Sequence, residues 1–129
     1  VREAVASTLI NIGFEAEEPQ LIIPLKLAES LELTSAEASI EDFGTGGGGR
    51  VSGYRVEEPI EVELVLGGEA SVKATARVTI LPGETEAIMS DRLASELGII
   101  IPDLWRGYWC LKDELGAGQR PSVPPQEWR

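Results

Sequence analysis

The residues best placed to do chemistry are Asn11-Ile12-Gly13, which follow the apolar pair Leu9-Ile10 and precede the acidic Glu15, Glu17 and Glu18. A strand that ends buried and then breaks at a polar residue and a glycine presents one side chain at a bend. A carboxamide there can give and take hydrogen bonds, but it cannot take a proton from water at any useful pH. Glu15, Glu17, Glu18 and Asp42 are the carboxylates near this motif or near the glycine run that follows. Acidic residues clustered after a turn ordinarily form a solvated face. The chain has no histidine, which removes Ser-His and Cys-His nucleophiles and histidine metal sites together. Cys110 is the only cysteine. It can form no intramolecular disulfide, and with no basic or histidine neighbour it reads as a buried small hydrophobe.

Gly44-Thr45-Gly46-Gly47-Gly48-Gly49 loosely matches phosphate-binding loops, but no Gly-Lys-Ser/Thr follows and no β-α-β unit surrounds it. It reads as a hairpin tip, either a working flap or merely a loop. No cofactor and no metal are expected. The net charge of −11 argues against nucleic acid and against anionic lipid, both of which need clustered Lys and Arg. No apolar run approaches the roughly 18 residues of a membrane span. The opening at Val1, without a methionine, leaves room for a tag, a signal or a leading strand ahead of it. A cytoplasmic protein is the expectation.

These residues need elements to position them. The 129 residues fit one domain. Residues 1–10 alternate partially and read as a strand that ends buried. Leu21-Ile22-Ile23 is a short buried strand, and Pro24 opens a helix through Leu25, Leu27, Ala28 and Leu31. Residues 39–56 form a long hairpin around the glycines. Ile60 to Leu66 alternates as a half-exposed strand that turns at Gly67-Gly68 into a second strand over 70–81. Ser90 caps a helix that ends at Gly98, and Ile99-Ile100-Ile101 is buried strand. Leu104 to Leu111 is either an interface segment or a terminal strand over the core. The domain is expected over 1–115, with 116–129 a loose tail. Leu27-Ala28-Glu29-Ser30-Leu31 returns as Leu93-Ala94-Ser95-Glu96-Leu97, each copy after a buried apolar run.

Taken in order, Leu9-Ile10-Asn11-Ile12-Gly13-Phe14, the glycine hairpin and Ala87-Ile88-Met89-Ser90 leading into Leu93…Leu97-Gly98 resemble one lobe of a retropepsin-like aspartic protease. The match covers roughly residues 1–101 and is similar to the single-lobe archaeal and bacterial branch. The resemblance implies an all-β closed acid-protease-type barrel with one or two short helices, built from two similar halves and paired as a homodimer. It also implies a flap at Gly44 to Gly49 and a structural pair of Glu15 with Arg92. The family motif is Asp-Thr/Ser-Gly, and its chemistry needs two carboxyls sharing one proton. Here Asn11 replaces the acid, Ile12 removes the buttressing hydroxyl and Ser90 replaces the glycine of the second half. The expectation is therefore a non-catalytic peptide- or protein-binding dimer. The alternatives are an aspartic endopeptidase using another carboxylate and a purely structural dimer. Asn11 is the only asparagine, and Gln, Cys and Met are scarce, a profile resembling heat-adapted proteins.

Overall fold

The computed structural model describes residues 2–33, 38–44, 50–67 and 69–129, with side chains at 38–39, 41–44, 50–51 and 69–71 left outside the description. The chain is mostly β with two short helices. In order come β1 (Thr8–Ile10), β2 (Gln20–Ile23), α1 (Leu25–Ser30), β3 (Ala38–Gly44), β4 (Arg50–Val56), β5 (Ile60–Leu66) and β6 (Glu69–Ile80). After them follow β7 (Ala87–Met89), α2 (Asp91–Glu96), β8 (Ile99–Asp103) and β9 (Tyr108–Leu111).

The main sheet runs β1-β7-β2-β6-β4-β3, with β5 also paired to β6. No pairing among the described residues closes it into a barrel. Its middle is two interlocked crossovers. The consecutive strands β1 and β2 enclose β7, and the consecutive strands β6 and β7 enclose β2. β7 runs parallel to β1 with Ile10 opposite Met89, and β2 runs parallel to β6 with Ile23 opposite Ile80. β2 and β7 pair antiparallel with Ile22 opposite Ile88. The arrangement has an approximate two-fold relation that exchanges β1 with the end of β6, β2 with β7, and α1 with α2.

Each half carries its own apolar cluster. One contains Ile23, Leu27, Ala28, Val78 and Ile80; the other contains Met89, Leu93, Ala94 and Leu97 with Ala76. The spacing Ile23…Leu27-Ala28 recurs as Met89…Leu93-Ala94, so the repeated helix sequence repeats its packing as well. Both helices end alike. Leu33 N–H bonds to Ala28 O and Glu32 N–H to Glu29 O, while Gly98 N–H bonds to Ser95 O, the pattern of a left-handed helix stop. Gly98 has φ +74°, and Glu32 has φ +56°. A non-glycine residue pays about 1–2 kcal/mol for that conformation, against the roughly 0.5–1 kcal/mol that glycine loses in chain entropy. Glu32→Gly is expected to raise stability by about 0.5–1 kcal/mol in urea unfolding, and Gly98→Ala to lower it by about 1 kcal/mol.

Several sequence expectations need correction. The strand expected over 1–10 pairs only at Thr8–Ile10, because β7 is three residues long and turns away at its own start. Val5 is 74% exposed. The alternation over Ile60–Leu66 holds, with a register shift at Leu64/Val65. Leu104 to Leu111 spans a hairpin turn and β9, which pairs with β8. Cys110 is buried there as expected.

The tail at 116–129 is tied down rather than loose. Trp109 and Arg120 form a backbone bridge. Glu114 holds the Arg120 guanidinium through both carboxylate oxygens, at 3.0 and 2.6 Å, which draws the Glu114 carboxyl down to a pKa of about 2. Trp128 N–H bonds to Thr85 O at 2.7 Å, and Gln126 Oε1 accepts the Ser7 N–H at 3.1 Å. The Trp128 ring packs on the cluster around Ile23, while its indole N–H is buried without a partner among the described residues. An unmet buried donor costs about 1–3 kcal/mol. Trp128→Phe keeps most of the ring contact and removes that donor, so it should leave the denaturation midpoint unchanged or raise it. A drop in stability beyond about 2 kcal/mol would show that the indole is bonded after all.

Candidate functional site

Asn11 stands where the chain leaves β1. Its N–H reaches Met89 O at 3.2 Å, and its carbonyl accepts Phe14 N–H at 3.0 Å. The side-chain Oδ1 accepts the Gly13 N–H at 2.9 Å. A Cβ on residue 13 would sit 3.2 Å from that oxygen, so a glycine keeps the turn closed around the amide. With Oδ1 committed to a backbone donor, the remaining polar atom of the side chain is Nδ2, which can only donate. Asn11, Ile12 and Gly13 are all exposed.

The same turn occurs in the other half. Leu81 N–H reaches Ile23 O at 3.0 Å, and Glu84 N–H reaches Leu81 O at 3.0 Å, so Leu81-Pro82-Gly83-Glu84 is the counterpart of Asn11-Ile12-Gly13-Phe14. Only the first turn carries a polar side chain at its leading position.

The loop after Asn11 is fastened by the start of α2. Ser90 is fully buried; its Oγ caps the helix by accepting Leu93 N–H at 3.1 Å and also accepts Gln20 N–H at 3.0 Å. Ser90 N–H returns a bond to Gln20 O, and Asp91 N–H bonds to Phe14 O, both at 3.0 Å. Asp91 Oδ1 accepts Ala16 N–H at 3.2 Å. The expected Glu15–Arg92 pair is not formed. Arg92 Nε instead meets Glu96 Oε1 at 3.2 Å, since a partner one turn away on the same helix is already within reach. The loop is therefore held by Asp91 and Ser90, through backbone donors. Glu15, Glu17 and Glu18 are exposed, and Glu18 pairs with Arg55 at 3.0 Å.

The glycine hairpin lies at the far end of the strand order from β1. β3 and β4 pair from Ala38 opposite Val56 to Gly44 opposite Arg50, with Asp42 opposite Ser52. Thr45, Gly46, Gly47, Gly48 and Gly49 lie outside the described residues, and so does the choice between a working flap and a plain loop.

Beside Asn11 runs an open, mostly apolar groove of about 290 Å³, whose lining joins Ile10, Ile12, Ala94, Ile99, Ile101 and Leu104 with Asp91 and Ser95. The motif and Ile10 at the end of β1 were visible in the sequence, but this groove was not. Its signal was the Asp91, Ala94, Ser95 spacing, which puts three small or polar residues on one face of α2, next to the Ile99-Ile100-Ile101 run. Among the described residues, no group of His, Cys, Asp and Glu could hold a metal ion, and no helix is long and apolar enough to cross a membrane. Compared with family models, curated proteins and solved structures, the chain matches none.

Proposed function

We propose that this chain is one lobe of a retropepsin-like protein whose catalytic position is held by Asn11, and that it works as a homodimer binding an extended peptide or protein segment without cleaving it. The observation that carries this reading is the pair of interlocked crossovers with matched turns, in which Asn11 takes the leading place of one turn and its Oδ1 is bonded to Gly13 N–H. The reading requires the open strand order to curl into a closed barrel, bringing the β3–β4 hairpin over the Asn11 end of β1. A peptide would then add as a strand beneath the hairpin, held chiefly by main-chain bonds.

The chemistry follows from the atoms. Two copies of Asn11 at a two-fold axis offer amide donors and no ionisable group. Such a pair can hold a carbonyl or a water but cannot deprotonate it. Among the described residues Asp91 is the one carboxylate lining the groove, and its Oδ1 is engaged by the Ala16 N–H. Sedimentation at micromolar concentration tests the assembly. A species of twice 13.9 kDa is expected, and a clean 13.9 kDa species would count heavily against it.

A further inference from the structure

Residues 120–129 run from β9 to the first apolar cluster and are fastened at both ends. At the near end Arg120 bridges Trp109 through the backbone and pairs with Glu114, and the Ser122 hydroxyl donates to Gly107 O. At the far end Gln126 Oε1 accepts the Ser7 N–H at 3.1 Å, and Trp128 N–H donates to Thr85 O at 2.7 Å. Between them Val123, Pro124 and Pro125 are all exposed. Consecutive prolines favour a stiff, extended spacer, so the far end reaches its contacts with little freedom left to lose.

The far contacts fall on one place in the sheet. Ser7 is the residue before β1, Thr85 lies two before β7, and the first rung of their ladder sets Thr8 opposite Ala87. The Trp128 ring packs on the cluster that contains Ala87, and Ala6 packs on it too. One segment thus grips the starts of both strands. β1 needs such a grip, because it stands at the edge of the sheet with a ladder of three rungs to β7. Asn11 leaves the end of that strand. Downstream the loop is fastened by Ser90 and Asp91. Upstream, Arg2 reaches Glu32 O at 3.1 Å, five residues short of Ser7. We infer that residues 120–129 are a clasp in which Gln126 and Trp128 are positioning residues for the Asn11 turn. They hold β1 on β7 and act through the strand, since Asn11 lies four residues beyond Ser7, about 13 Å along the chain. The indole N–H has no partner among the described residues, so the ring anchors by apolar contact and a phenylalanine can take its place. The clasp is built within one copy and stands apart from the dimeric reading.

Asn11 is the only asparagine, so asparagine-selective isotope labelling of the full chain reports one backbone amide, and it sits at the turn. Its NMR order parameter in the native chain should be that of rigid backbone, about 0.85. Trp128→Ala should lower it below about 0.6, the range of flexible segments, while Trp128→Phe should keep the native value. Gln126→Ala, a change at an exposed residue, should place it between the two. A loss of global stability alone does not move this readout, because the fast motion is measured within the folded population. An order parameter that stays near 0.85 in both alanine variants would overturn the clasp. So would a native chain already flexible at Asn11, or a Trp128→Phe chain as mobile there as Trp128→Ala. Should Trp128→Ala fail to fold, Gln126→Ala decides: a lowered value supports the clasp and a native one overturns it.

Discussion

Asn11→Asp should give a chain that cleaves peptides between pH 3 and 7 in a pepstatin-sensitive way. The native protein should show no such turnover. Cleavage by two carboxyls needs one ionised, to draw a proton from water, and one protonated, to assist the leaving amine. Each of these steps is typically worth about 10²–10⁴-fold. Asn11 supplies neither, and its Oδ1 is already occupied by Gly13 N–H at 2.9 Å. An aspartate at position 11 can keep that bond with one oxygen and leave the other free. On the proposed retropepsin-like reading, Ile12 and Ser90 take the places of a hydroxyl and a glycine, so the gained activity should fall short of an unaltered enzyme's. Pepstatin-inhibited turnover by native protein, with the Asn11 amide verified by mass, would defeat the account. Turnover insensitive to pepstatin would direct attention to Asp42 and the acidic loop.

Ser90→Ala should cost about 2–4 kcal/mol of stability, a sizeable part of the roughly 5–15 kcal/mol that holds a domain together. Ser90 is fully buried, and its Oγ accepts two backbone donors, Leu93 N–H and Gln20 N–H. Loss of the cap alone costs about 0.5–2 kcal/mol, and stranding a second donor adds about 1–3 kcal/mol. The second bond matters more than its size, because it ties the start of β2 to the start of α2 across the central crossover. Ser90→Gly should cost less, since glycine caps nearly as well as serine and lets water approach Gln20. Chemical denaturation of both variants reads the difference. A Ser90→Ala loss below about 0.5 kcal/mol would show that the hydroxyl is not the fastening point.

The parts of this fold written in local chemistry were legible. Ser90 before an acidic first turn and Gly98 after Leu97 bounded α2 to within a residue, because caps are made by neighbours in the chain. The alternation Ile60, Val62, Leu64, Leu66 marked β5 for the same reason. The insertion of β7 between β1 and β2 was not legible from pattern. Its ladders are only a few residues long, and their partners lie far apart in the chain. Only the repeat of Leu27…Leu31 in Leu93…Leu97 hinted at two halves. The docking of Trp128 was hidden by the Pro- and Ser-containing stretch before it, which reads as tail while its final aromatic finds a gap in the core. Glu15 with Arg92 failed for a plainer reason: Glu96 was nearer. At the site, the Asn11-Ile12-Gly13 turn was readable, whereas the groove arises where Ile10 and Ile12 meet the distant α2 and β8 in space.

The most direct measurement is oxidation of Asn11→Cys. Cys110 is buried, so the introduced thiol is the one free to react. If two copies meet at the Asn11 turns, their Cα atoms should approach the roughly 4.4–6.8 Å that a disulfide spans. Mild oxidant should then give a covalent dimer of twice 13.9 kDa that reductant returns to single chains. A variant that sediments as a dimer yet remains fully reduced under the same oxidant would put the axis elsewhere and contradict the account.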